Sequence, residues 1–143
     1  MLPKDIPYLA LVDEVALQSK DRGAQVGAVI TTSFGTVLST GYNEFAHGTQ
    51  ETEARRSRPE KYLYTEHAER NAIYAAAAKG IALHGGTMFQ RWFPCAECAR
   101  AIVQSGIKRL VCQTPNFADV RWGESFTAAA NILREGAVHV DYY

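Results

Sequence analysis

The chain has 143 residues, 47% of them hydrophobic and 21% charged, with 15 basic and 15 acidic side chains. That length suits one domain over residues 1–143, with a core large enough to need no disulfide staples. A formal charge of zero excludes the basic surplus that a nucleic-acid backbone demands, so no nucleic-acid partner is expected. Along the chain, Tyr8 to Leu17 sets Leu9, Val12, Ala16 and Leu17 near helical spacing, and Gly23 follows as a stop signal. Gln25 to Thr31 is apolar and β-branched, as a buried strand would be. Ser33-Phe34-Gly35 then turns into a second strand, Thr36 to Thr40. Residues 42–63 read as a long charged loop holding Arg55, Arg56, Arg58 and Lys61, and a loop of that length is expected to be functional.

Thr65 reads as the N-cap of an alanine-rich helix from Glu66 to Lys79, closed by Gly80. A strand is predicted at Thr87 to Gln90 and a helix at Cys95 to Ser105, the latter ended by Gly106. Arg109 to Gln113 reads as a strand, Glu124 to Glu135 as a helix, and Val138 to Tyr143 as a last strand. This alternation predicts an α/β domain with a mostly parallel sheet, covered on both faces, and a hairpin at one side. No apolar run reaches the ~18 residues of a membrane span. Residues 1–7 lack the cationic head and apolar run of a signal peptide. Three cysteines are too few for a disulfide framework, so a reducing, cytoplasmic setting is expected.

Two short motifs carry chemistry: His67-Ala68-Glu69, and Pro94-Cys95-Ala96-Glu97-Cys98. Cysteines three apart at a helix start sit where unpaired N–H groups and the positive dipole end favour thiolates. With His67 in the first turn of another helix, one imidazole and two thiolates can hold zinc and leave a fourth tetrahedral position open. Glu69, two residues past His67, can then serve as proton acceptor and donor without ligating the metal. A Cys-x-x-Cys alone is equally compatible with thiol redox chemistry or a zinc knuckle. A thiol oxidoreductase leaves His67 and Glu69 without a role. A non-catalytic zinc domain calls for four protein ligands, where the motifs supply three. His-x-Glu with Pro-Cys-x-x-Cys is the signature of zinc nucleobase deaminases.

From about Ser19 to Val140 the chain resembles the deoxycytidylate (dCMP) deaminase branch of the cytidine deaminase-like superfamily. The resemblance is carried by Gln25-Val26-Gly27-Ala28, Gly41-Tyr42-Asn43, Lys61-Tyr62, His67 to Ile73, and Phe93 to Ala99 with Ile102 to Ile107. It implies a three-layer α/β/α sandwich around a five-stranded mixed, mostly parallel sheet. It also implies Zn2+ at His67, Cys95 and Cys98, Glu69 as proton shuttle, and hydrolysis of an amidine C–N bond. Asn43 would touch the sugar, and backbone groups around Ala68, Trp92 and Phe93 would hold the base edge. Self-association as a dimer or hexamer is a further implication.

After Gly41-Tyr42-Asn43 this chain continues Glu44-Phe45-Ala46, where the family continues Gly-x-Pro. An inward Glu44 would repel a phosphate, while Arg55, Arg56, Arg58 and Lys61 would offset it. The substrate is therefore expected to be a cytosine nucleotide, with a free base or nucleoside, of cytosine or guanine type, as the alternative. Cys112 reads as a buried small hydrophobe, Glu97 as solvent-facing, and Trp122 as a lid or a subunit contact.

Overall fold

The computed structural model describes residues 1–143. A short 3-10 turn at Pro3–Asp5 leads into α1 (Ile6–Ala16), then β1 (Gly27–Thr31) and β2 (Val37–Tyr42). The next stretch holds β3 (Glu44–Phe45), α2 (Glu53–Arg56), α3 (Lys61–Tyr64) and β4 (Thr65–Glu66). After it come α4 (Ala68–Ala78), β5 (Thr87–Gln90), α5 (Ala96–Gln104), β6 (Arg109–Cys112), α6 (Gly123–Glu135) and β7 (His139–Tyr142). The main sheet runs β2-β1-β5-β6-β7, and β3 and β4 form a separate two-stranded ribbon.

Period-2 alternation sends side chains to two faces, and each face finds a different partner. Ala28, Ile30, Met88, Leu110 and Cys112 face α4, α5 and α6, meeting Ala68, Ala72, Ala76, Ile102 and Leu133. Val29, Phe89 and Val111 face the other way, onto Leu9, Val12 and Val15 of α1. The result is a three-layer α/β/α sandwich whose central strand, β5, is buried at every residue. Each fully buried Ile, Leu or Phe contributes roughly 1.5–3 kcal/mol of transfer free energy. On the thinner α1 side, ion pairs supplement the apolar contact. Arg109 bridges Asp5 and Asp141, and Arg91 pairs with Asp13. No helix is long and apolar enough to cross a membrane.

Two glycines set how closely helices approach this sheet. A Cβ at Gly27 would collide with the carbonyl oxygen of Val12, and one at Gly41 with the backbone nitrogen of Ala72. Because Gly41 has no side chain, β2 rests directly on α4, and the Ser39 hydroxyl donates to the Ala72 carbonyl at 2.6 Å. This contact pins the first turns of α4 at the end of the sheet where α5 also begins.

The structure adds one detail to the sheet and corrects the sequence reading in two places. Four of the five strands run the same way and only β1 is reversed, so the mixed, mostly parallel sheet has two antiparallel pairings, both made by β1 (with β2 and with β5), and two parallel ones. Thr65 is not a helix cap: it pairs with Phe45 in the small ribbon, and His67 occupies the N-cap position of α4. Residues 42–63 are not one irregular loop, since they hold the end of β2, all of β3, and two single-turn helices, α2 and most of α3. Those helices have four residues each, too short for a periodicity argument to detect.

Candidate active site

Two chain segments arrive at the same end of the sheet in the same way. β4 ends at Glu66 and β5 at Gln90, and each is followed by an extended residue that opens a helix: His67 for α4 and Cys95 for α5. Neither of those side chains caps its own helix, so both project away from it. Cys98 lies in the first turn of α5. The Nδ1 atom of His67 is 3.5 Å from Cys98 Sγ and 3.6 Å from Cys95 Sγ, and all three donor atoms lie within 4.8 Å of one another. A tetrahedral zinc with bonds of about 2.1 Å to nitrogen and 2.3 Å to sulfur has a nitrogen–sulfur edge of ~3.6 Å. The cluster therefore fits zinc in size and in donor type, with three protein ligands.

The protonation balance suits that reading. The hydrogen bond from Cys98 holds the Cys95 thiol down to about 3, and the His67 imidazole adds to the effect. Cys98, facing the Cys95 sulfur in a buried place, is pushed up in turn. His67 is raised by its contact with Cys95. The cluster thus holds one ready thiolate at two positive helix ends, and a divalent cation would displace the proton that keeps the second sulfur neutral.

Glu69 is 6% exposed, in the first turn of α4 beside this cluster. Burial pushes its carboxyl up, above the usual carboxylate range, against the opposing pull of His67. Its Oε1 accepts from Gln90 Nε2 at 3.3 Å, while Oε2 bonds to no other residue and is not among the fully enclosed unpaired atoms. One oxygen is held and the other is free to exchange protons.

Three further residues build the corner. Arg70 joins the two helix starts, with Nε on Glu66 at 2.5 Å and Nη1 on Glu97 at 2.8 Å. Glu66 also accepts from the His67 backbone N–H at 3.0 Å, which fixes the approach to α4. From α6, the Ser125 hydroxyl accepts the Ala96 N–H at 2.9 Å, between the two cysteines in sequence. The spacing of four between Glu66 and Arg70 is visible in the sequence, although Glu66 ends β4 and lies just before the helix. Gln90 had only the weak signal of an amide in an apolar strand, and Ser125 had none.

The other expected site residues are distributed less simply. Ala68 is fully buried at the first position of α4, where its N–H has no intrahelical acceptor. Trp92 is largely exposed, whereas Phe93 is core, packed against Phe117, Phe126 and Tyr142. Asn43 is buried with both ends of its amide engaged: Oδ1 accepts from Val26 N–H at 2.9 Å, and Nδ2 donates to the Ala24 carbonyl at 2.8 Å. Arg56 pairs with Glu51 at 2.6 Å and with Glu44 at 3.5 Å. Arg55 lies 4.3 Å over the Tyr64 ring and donates to the Gln50 carbonyl. Lys61 is tied to Asp21. Cys112 is buried, Glu97 is exposed beyond its contact with Arg70, and Trp122 stacks on Phe126.

Arg58 and Arg121, like Arg55, have no carboxylate partner, and both gather on Tyr62. Arg121 bonds the Tyr62 hydroxyl and lies 5.1 Å over the Tyr62 ring, and Arg58 stands 5.9 Å from the same ring. Tyr62 leads through β4 to His67, and Arg121 leads into α6 and Ser125, which bonds Ala96. The Arg121–Tyr62 contact therefore ties the segment that leads to His67 to the segment that leads to Ser125.

Residues 3–114 match the family described as the cytidine and deoxycytidylate deaminase zinc-binding region. The chain is 36% identical over 137 residues to an uncharacterised deaminase of the luxG 3′ region of Aliivibrio fischeri, covering 94% of this chain and 90% of that one. It is 33% identical over 118 residues to the human deoxycytidylate deaminase, covering 78% of this chain and 65% of that protein. In fold it is similar to the dCMP deaminase of cyanophage S-TIM5, solved with dCMP and dUMP. That similarity has a TM-score of 0.79 at 23% identity, covering 100% of this chain and 99% of the other.

Proposed function

The chain belongs to the family of cytidine and deoxycytidylate deaminases defined by that zinc-binding region, and from this premise we propose that it hydrolyses dCMP to dUMP and ammonia. His67, Cys95 and Cys98 would hold zinc, which when bound lowers the pKa of water and so supplies a nucleophile near neutral pH. The remaining work falls to the protein. Glu69 Oε2 accepts a proton from the attacking water and passes it to the ring nitrogen beside the amino-bearing carbon. It then takes the second proton from the newly attached hydroxyl and delivers it to the departing amino group, which leaves as ammonia as its C–N bond breaks and the C=O bond forms. Water supplies the new oxygen, and ammonia leaves with the old nitrogen. A buried carboxyl whose pKa is raised suits both halves of this task, since it must accept and release within one turnover.

The single observation that carries this reading is the grouping of one imidazole and two thiols beside a buried carboxyl with one unengaged oxygen. For the nucleotide, the main objection in the sequence was Glu44, and its charge is paired with Arg56. Of the expected phosphate partners, Arg56 is committed to carboxylates, Lys61 to Asp21, and Arg55 to the Tyr64 ring and the Gln50 carbonyl. We assign the phosphate instead to Arg58 and Arg121, whose planar forks suit it. Self-association of the chain, as a dimer or hexamer, belongs to the same reading. The test is a panel of dCMP, CMP, deoxycytidine, cytosine and guanine with zinc-loaded protein, followed by ultraviolet absorbance. Conversion of dCMP is expected. Conversion of deoxycytidine, cytosine or guanine with dCMP untouched would replace the nucleotide by the alternative substrate class.

A further inference from the structure

Gln90 is the last residue of β5, the central strand of the sheet, and it is 1% exposed. A strand otherwise made of Thr87, Met88 and Phe89 ends in a long amide on the face that carries Met88 and meets α4. Its Nε2 donates to Glu69 Oε1 at 3.3 Å and to the Trp92 carbonyl at 2.6 Å. Both partners are acceptors, which fixes the orientation of the amide: the reversed amide would set oxygen against oxygen twice. The consequence is that Gln90 Oε1 is fully enclosed with no hydrogen bond.

An orphaned buried acceptor is unfavourable, and an apolar side chain of the same length would avoid it. A position that serves packing alone gains nothing from the amide. What the amide supplies is its donor end, which ties the carboxyl of Glu69 to the carbonyl two residues further along its own chain. That carbonyl belongs to the segment Arg91 to Pro94, which runs from β5 to the ligand Cys95. One nitrogen therefore sets two things together: the rotation of the Glu69 carboxyl, and the path of the segment that brings the cysteines in. It does so from the central, fully buried strand of the sheet.

We propose that Gln90 is a positioning residue for Glu69, holding Oε1 so that Oε2 alone carries protons. This rests on the deaminase reading of the site. Fixing a reacting carboxyl matters because a displacement of about 1 Å can cost ~10²-fold in rate.

Gln90→Met keeps length and removes both donors and the orphaned acceptor. In zinc-loaded protein kcat should fall by ~10–100-fold with KM within about threefold, and the melting temperature should hold or rise. Gln90→Glu keeps shape and sets an acceptor against Glu69 and Trp92, and its loss should be at least as large. A kcat within about threefold of the parent in either folded variant would overturn the proposal, as would a loss confined to KM. If both variants fail to fold, side-chain amide NMR of the parent decides. One Gln90 amide proton should shift in Glu69→Ala while the proton facing Trp92 stays in place; two unmoved protons would overturn the proposal. This arm needs no turnover, so a chain that deaminates nothing would sink the deaminase reading while Gln90 is still judged on its contact.

Discussion

Two regions border the mouth of this site, and they treat their polar groups in opposite ways. At the corner where α4 and α5 begin, the donor atoms of His67, Cys95 and Cys98 face only one another, and Glu69 keeps one oxygen free. In residues 43–64, which precede it, Glu44, Glu51, Glu53, Arg56 and Lys61 are all engaged in ion pairs. Buried polar groups are normally satisfied by the protein itself, so the corner that leaves them facing inward is the corner arranged for a ligand. The arginine-rich segment is mainly a brace. Arg55 is held by the Tyr64 ring and the Gln50 carbonyl, which leaves Arg58 of this segment, with Arg121 beside it on Tyr62, for an incoming anion.

Removing a donor from the corner should break the contrast most completely. Cys98→Ala is expected to bring zinc, measured by atomic absorption, from one per chain to near zero, with deamination lost. Glu69→Gln should separate metal from chemistry, keeping the zinc while kcat falls by about 10²–10⁴-fold. Full turnover in that variant would remove Glu69 from the mechanism. Exchanging the two classes of arginine should sharpen the comparison. Arg121→Ala should raise KM for dCMP by ~10-fold and leave deoxycytidine unaffected, the size of a lost charge-assisted hydrogen bond. Arg56→Ala should leave KM for dCMP unchanged and lower the melting temperature by ~2–4 °C.

The smallest expected effect is in acid. Burial alone would raise the Asp21 carboxyl, but the Gly23 and Ala24 N–H groups and Lys61 outweigh it and leave it lowered. A carboxyl depressed in the folded state contributes stability above its ordinary pKa of ~3.9, and that contribution is lost as pH falls through the folded value. Hydrogen exchange at Lys61 to Tyr64 should therefore lose protection below about pH 4. Asp21→Asn should abolish that pH dependence.

Much of the corner was legible in the sequence because its chemistry depends on residue type and short spacing. His67 and Glu69 lie two apart and Cys95 and Cys98 three apart, and each pair falls at a helix start marked by pattern or proline. The α/β order was legible for the same reason, since α1, α4, α5 and α6 each have nine or more residues and bury a periodic face. The hairpin of β1 with β2 was legible from its turn, but the antiparallel pairing of β1 with β5 was not, because pairing is decided across the sheet and leaves no mark within the strand. The pairing of Arg56 with Glu44 and Glu51 was equally hidden. A run of arginines reads the same whether its charges face a carboxylate or solvent. Gln90 was the least visible residue of all, because one amide in a short strand carries no periodic signal and acquires its meaning only from Glu69, 21 positions away.

The account depends on a metal held by one nitrogen and two sulfurs with one place left for water. X-ray absorption at the zinc edge of the purified, zinc-loaded chain reads that shell directly. Two sulfurs at about 2.3 Å and two lighter atoms at about 2.0–2.1 Å are predicted, with one sulfur lost in Cys98→Ser. A shell without sulfur, or one of four sulfurs, would contradict it.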